Sequence, residues 1–103
     1  MAEREYIISY REDVRKRHYH VTEKGKILEF MVQLEVKVQD NWKEVVRYDC
    51  AHGYAHRDSY NLNGKSKKEE MRLSFNDALT SADDDIDDNW EVYKDRFLKG
   101  ELL

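Results

Sequence analysis

The stretch that most constrains the fold is residues 26–38, KILEFMVQLEVKV, where apolar and mostly polar side chains alternate without a break. A period of two residues is typical of a β-strand with one buried face. Its apolar set is Leu28, Phe30, Val32, Leu34, Val36 and Val38. A shift of one residue would turn the whole set towards water, so the strand fixes which face of its neighbours must be apolar. The segment therefore predicts the centre of a sheet.

The length and composition predict one domain over residues 1–103. A chain this short has room for one modest core, and 39% charged residues predict a heavily charged surface. The longest apolar run is too short to span a bilayer, and the first residues lack the hydrophobic block of a signal peptide. A single cysteine, Cys50, excludes an intramolecular disulfide. We therefore expect a cytoplasmic protein that does not contact a membrane.

Before the central strand, residues 15–21 alternate as a second strand, and residues 22–25, TEKG, predict the loop between the two. A four-residue loop would place His18 opposite Glu29. His18 and His20 would then lie on the polar face of the sheet. The N-terminal segment before this strand fits a short strand, although a helical turn fits it as well.

After the central strand, residues 39–41, QDN, predict a three-residue hairpin loop that places Val38 opposite Trp42. The same register sets Arg47 opposite Gln33 in the next strand. Apolar side chains of both strands then share one face, and this agreement supports the hairpin.

A further turn is predicted around Gly53. A four-residue loop there would place His56 opposite Asp49 and Asp58 opposite Arg47, and both pairs have complementary charges or hydrogen-bonding groups. A slip by one residue would instead set Arg47 against another arginine. We therefore expect the first register.

Ser74 predicts the N-cap of a long helix and Gly100 predicts its end. Between them apolar residues recur every three or four positions: Phe75, Leu79, Ala82, Ile86, Trp90, Tyr93 and Phe97. Before the helix, residues 67–73 predict a short, charged edge strand. Together these elements predict an α+β domain, an antiparallel β-meander of four to six strands with one long C-terminal helix packed on its apolar face.

The predicted registers gather the four histidines on the polar face, near the turn around Gly53. A carboxylate opposite a histidine holds the imidazole in one tautomer and suits it to acid–base chemistry near neutral pH. The predicted catalytic residues are His56, His52, Asp49 and Arg47, with the aspartate orienting His56 and the arginine stabilising negative charge. The predicted substrate-binding residues are Asp58, His18, Arg57 and Tyr54. A solvated face with ordinary cross-strand ion pairs would show the same spacing.

A metal site is a third interpretation of the same residues. The pattern D-x2-H-x3-H-x-D, which suits zinc, manganese or iron, is formed by Asp49, His52, His56 and Asp58. Strand geometry is expected to spread these four apart, so we predict no metal ligands and no cofactor. The aspartates within residues 83–88 are expected on the solvated side of the helix, because nothing there predicts a coordinating loop.

The segment RYDCAHGYAHRD, residues 47–58, together with the strand before it and the helix ending in NWEVYKDRFLKG, resembles a family of small uncharacterised prokaryotic proteins. Their shared pattern is R-Y-D-x-A-H-G-x-x-H-x-D, and the resemblance covers residues 26–100. It implies that function lies at this turn, where the matching positions are Arg47, Asp49, His52, Gly53, His56 and Asp58. A looser likeness to the small toxins of bacterial and archaeal toxin–antitoxin pairs lies in a tyrosine–aspartate pair followed by a histidine–arginine segment.

Two functions follow as hypotheses. The first is an RNA-cleaving or RNA-modifying protein of toxin type, with His56 and His52 as general acid and base. The second is a non-catalytic module that binds a protein partner, a ligand or a metal through its acidic helix or polar sheet face. The net charge of -4 favours the second, because RNA-binding proteins usually have a more basic surface. The expected partners are RNA or a protein, and a homodimer is considered as well.

Overall fold

The computed structural model describes residues 1–103 and contains a six-stranded sheet followed by one helix. The elements are β1 (Ala2–Arg11), β2 (Val14–Glu23), β3 (Lys26–Val38), β4 (Asn41–Asp49), β5 (His56–Tyr60), β6 (Ser66–Glu70) and α1 (Phe75–Leu98). The strands lie in chain order, and each is antiparallel to the next. The predicted α+β fold, a β-meander with one long C-terminal helix, is confirmed.

Helix α1 begins and ends where the sequence predicts. The Ser74 side chain accepts a hydrogen bond from the backbone N–H of Asp77, and Gly100 follows the helix with a φ of 80°. The helix packs its apolar stripe on the sheet through Ala78, Leu79, Ala82, Ile86 and Phe97, which are buried. We call the covered side of the sheet the helix face and the other side the open face. No helix of the structure has the length and apolarity that crossing a membrane requires.

The hairpin between β2 and β3 differs from its prediction. The chain turns over Lys24 and Gly25, both with positive φ, which is the type I′ geometry of a two-residue loop. A bulge then leaves Leu28 without a cross-strand partner, and it is exposed. His18 therefore pairs with Val32, not with Glu29. The predicted placement of His18 and His20 on the polar face is wrong, because the shorter loop and the bulge turn them to the helix face.

The hairpin between β3 and β4 also has a two-residue turn. Gln39 and Asp40 both have positive φ, so Val38 pairs with Asn41 rather than with Trp42. A bulge at Val45 then restores the predicted pairing further along the strands. Arg47 lies opposite Gln33, as expected, and Asp49 lies opposite Met31.

The next hairpin follows its prediction closely. His56 pairs with Asp49, and Asp58 pairs with Arg47. Strand β6 is shorter than expected and ends at Glu70, two residues before Arg72, whose φ is 57°. This part of the sheet positions the candidate functional residues, since all four paired side chains point to the open face.

Candidate functional site on the open face

The open face carries a compact polar cluster where β4 ends and β5 begins. His56 stands directly across the ladder from Asp49, and Asp58 is two residues further along the same strand face. One ligand-type atom from each of the three lies within 4.8 Å of the other two. The expectation that strand geometry spreads these residues apart is therefore wrong for these three, because a cross-strand partner and an i+2 neighbour are both adjacent to His56.

The His56 ring is the centre of this cluster. Its Nε2 lies 2.6 Å from Asp49 Oδ1, and its Nδ1 lies 3.4 Å from Asp58 Oδ2. The side chain is only 2% exposed. Neither contact has the geometry of a hydrogen bond, so both ring nitrogens are buried without a hydrogen-bond partner. Such groups are rare in folded proteins, and each costs about 1–3 kcal/mol if nothing satisfies it.

Asp49 is held from its other side by Arg47. The arginine Nε donates a hydrogen bond of 2.6 Å to Asp49 Oδ2, which leaves Oδ1 for His56. Burial alone would lower the pKa of Arg47, but the hydrogen bond and the charge of Asp49 raise it overall. Arg47 also donates to Gln33 Oε1 at 3.1 Å. The carboxylate is thus fixed between a permanent cation and an imidazole.

The network continues across the open face into β2. Gln33 Nε2 donates to Glu35 Oε2 at 2.5 Å, and Arg15 Nε donates to Glu35 Oε1 at 2.6 Å. Gln33 and Glu35 are buried although they lie on the face away from the helix. Side chains from β2 to β5 therefore form one connected polar layer, which restricts the position of Arg47.

The turn between β4 and β5 covers His56. The rings of His52 and Tyr54 lie with their centroids 5.7 Å and 5.4 Å from that of His56. Both covering residues are exposed. Of the two histidines on the open face, His52 is thus the one in contact with solvent, and His56 is beneath it.

A cleft of about 410 Å³ opens beside the cluster. Arg47 and Asp49 border it on one side, and Tyr19, Met31 and Leu28 supply apolar surface on the other. A concave surface with a few converging polar groups is the usual form of a ligand site. The cleft gives Asp49 access to solvent that the buried His56 does not have.

The other two histidines lie elsewhere. On the helix face, His18 Nδ1 is 3.1 Å from Asp83 Oδ1, and His18 Nε2 is 2.6 Å from His20 Nδ1. His18 is buried, and it stacks on Tyr6. The predicted gathering of all four histidines is therefore wrong, and we exclude His18 from the open-face site.

Arg57 is likewise on the helix face. Its Nε donates to the Tyr48 hydroxyl at 2.9 Å, and its guanidinium lies over the ring of Tyr93. Both tyrosine hydroxyls bond Asp85 of the helix. Burial and the Asp85 hydrogen bond raise the pKa of Tyr93 to about 12. Arg57 thus helps to bind the helix to the sheet, on the side opposite to the cleft where the sequence predicts it to meet a substrate.

Three aspartates of the acidic run contact the sheet, which corrects the expectation of a fully solvated face. Lys16, buried in β2, places its Nζ 3.2 Å from Asp83 Oδ1 and 2.8 Å from Asp87 Oδ1. Asp85 bonds the tyrosines described above, whereas Asp84 and Asp88 are exposed. The sequence holds one signal for this contact. Lys16 and His18 are two residues apart in β2 and therefore share a face, and polar side chains on a buried face need partners.

Comparisons with known proteins give a family and no activity. No curated protein and no solved structure matches the chain. One family model, described as Domain of unknown function (DUF7718), matches residues 1–103. The match includes the N-terminal strand, which lies outside the resemblance drawn from residues 26–100. The chain therefore belongs to this family, the domain of unknown function DUF7718.

Proposed function

We propose that the protein acts on RNA, and that the open face of the sheet is the surface that binds it. The observation that carries the proposal is the fixed Arg47–Asp49–His56 arrangement, with both contacts to Asp49 at 2.6 Å, beside an open cleft. A charged group held in place beside a cleft is the arrangement expected of a site that stabilises charge on a substrate.

Aromatic and cationic side chains on the open face support a nucleic-acid ligand. Tyr19, Trp42, Tyr54 and Tyr60 share this face with Arg15 and Arg47. Unpaired bases stack on aromatic rings and on guanidinium planes, and arginines bind the phosphates. The Arg15 guanidinium lies 4.0 Å from the centroid of the Trp42 ring, so cation and ring already form one stacked surface. Single-stranded RNA is the nucleic acid that such a surface suits best.

Within this proposal, burial divides the two histidines by role. His52 is exposed and can exchange a proton with a bound RNA. His56 is buried against it and acts as a positioning residue, because its ring supports His52 and contacts Asp49. Arg47 is the group that meets a phosphate, since its side chain is 35% exposed and borders the cleft.

RNA integrity assays test the proposal. Purified wild-type protein is incubated with a mixed-sequence single-stranded RNA, and His52→Ala, Arg47→Met and a helix-face control, His20→Ala, are compared with it. We expect cleavage or modification by wild type and by the control, with a loss of about 10²-fold or more in the His52 variant. Equal activity in all three variants, or none in wild type, contradicts the proposal.

A further inference from the structure

We propose that Asp49, His56 and Asp58 bind a divalent transition metal ion on the open face. The inference goes beyond the proposed action on RNA and does not depend on it, since metal binding needs no nucleic acid. It concerns a cluster in which three ligand-type atoms already lie within 4.8 Å of one another.

The three side chains offer donor atoms that suit a divalent transition metal ion. One imidazole and two carboxylates form a mixed nitrogen and oxygen set, which suits manganese, iron or zinc in the divalent state. Two ligands of one such ion lie about 3 to 4 Å apart, because each bond measures about 2.0 to 2.2 Å. With one ligand-type atom taken from each of the three residues, all three atoms lie within 4.8 Å of one another, which is close to this range. Small side-chain movements would therefore form the site.

The ring nitrogens of His56 are buried without hydrogen-bond partners. The His56 side chain is only 2% exposed. A buried polar atom of this kind calls for a ligand, a water or an ion, and here carboxylates flank it on both sides. An ion bound by one ring nitrogen and by one oxygen of each carboxylate would satisfy that nitrogen, and the remaining oxygen of Asp58 would accept from the other.

The charges of the cluster also favour a cation. The carboxylates of Asp49 and Asp58 outnumber the single guanidinium of Arg47, so these three groups together carry a formal surplus of negative charge. Arg47 holds Asp49 Oδ2, which is the role of an outer partner that orients a metal ligand. Asp49 Oδ1 faces His56 and accepts only a long hydrogen bond of 3.4 Å, from the Ala51 backbone N–H, so it is the oxygen that would bind an ion. Because Asp49 lines the cleft, an ion has a path from solvent to the site.

Isothermal titration calorimetry of chelator-treated protein with MnCl₂ and with ZnSO₄ tests the proposal. We expect one ion per chain for wild type, with affinity reduced at least about tenfold in Asp49→Asn and in Asp58→Asn. The matched controls are Asp84→Asn, an exposed aspartate of the helix, and His20→Gln, a histidine of the helix face. Both should bind as wild type does.

A second measurement on unaltered protein guards against variants that fold poorly. Paramagnetic Mn²⁺ should broaden the backbone NMR signals of His56 and Asp58 before those of His20. Absence of binding by wild type, or full affinity in both aspartate variants, overturns the proposal and leaves a buried ion pair. Broadening centred on His18 and His20 also overturns it, because the ion would then occupy the helix face.

Discussion

His56 Nε2 and Asp49 Oδ1 lie 2.6 Å apart across the ladder between β4 and β5, on the side of the sheet away from the helix. The contact joins the last residue of one strand to the first of the next. Because Arg47 holds the other oxygen of Asp49, the pair forms the fixed centre of the polar layer.

Arg47 should contribute to RNA affinity through its charge. We expect Arg47→Met to weaken binding of a single-stranded RNA and to reduce the slope of log affinity against log salt by about 0.7, the value for one phosphate contact. Fluorescence anisotropy at several salt concentrations measures both. Arg96→Met, which removes a cation from the end of the helix, is the control. An unchanged slope in the Arg47 variant argues against a phosphate contact there.

Lys16 should stabilise the contact between β2 and α1. Replacing it by methionine keeps most of its volume but leaves Asp83 and Asp87 without their buried cation. We expect the free energy of unfolding to fall by about 2 kcal/mol, less than for a fully buried pair because Asp87 is half exposed. Urea unfolding measures it.

The control for Lys16 is a surface pair of similar distance. Lys67 lies 2.8 Å from Glu69, and both side chains are about half exposed. Lys67→Met should change the free energy of unfolding by no more than about 0.5 kcal/mol. Similar losses in the two variants would show that burial of Lys16 adds nothing.

Acid should weaken the same contact through Asp83. Burial alone would raise the pKa of Asp83, but the hydrogen bond from His18 and the charge of Lys16 lower it overall, below the usual 3.8. A carboxyl with a lowered pKa in the folded state contributes stability above its unfolded pKa, and this contribution is lost as the pH falls through the folded pKa. Asp83→Asn should therefore be less stable than wild type at about pH 6, and the difference should shrink towards about pH 3.

Chemical unfolding at the two pH values checks this dependence. Asp84→Asn, at an exposed neighbouring position, is the control and should follow wild type at both. A difference between Asp83→Asn and wild type that stays constant with pH would mean that the asparagine disturbs packing rather than charge.

Two substitutions in the turn between β3 and β4 should raise the stability of the fold. Gln39 and Asp40 adopt φ values of 50° and 66°, in the left-handed region that glycine and asparagine adopt more readily than glutamine. The type I′ turn favours Asn-Gly, so the double variant Gln39→Asn with Asp40→Gly should raise the free energy of unfolding by about 0.5 to 1 kcal/mol. Thermal unfolding measures the change. A fall in stability would contradict the assignment of the turn.

Much of the fold could be predicted because period and face agree over long segments. The alternation of Phe30, Val32 and Leu34 and the helical stripe from Phe75 to Phe97 each have one solution that buries apolar surface. The pairing of Asp49 with His56 followed from charge complementarity across a short turn. These are local constraints that a sequence expresses directly.

The errors in the predicted registers arise where a tight turn or a bulge decides on which face of the sheet a side chain lies. Lys24 and Gln39 give little sign of a positive φ, yet each begins a two-residue turn, and a bulge follows each turn. One such bulge turns His18 to the helix face. The buried ring of His18 has its carboxylate partner in Asp83, which lies 65 residues later in the chain. Alternation within a single strand carries no information about that distant partner.

The measurement that tests the account most directly is an NMR titration of ¹⁵N-labelled protein with a short single-stranded RNA. We expect the shifted amide signals to belong to the open face and its turn, with Arg47, His52 and Tyr54 among the first. Signals of the exposed helix residues Asp84 and Asp88 should not move. Shifts confined to the helix, or no shifts at RNA concentrations that saturate ordinary RNA-binding domains, would contradict the claim that the open face is the functional surface.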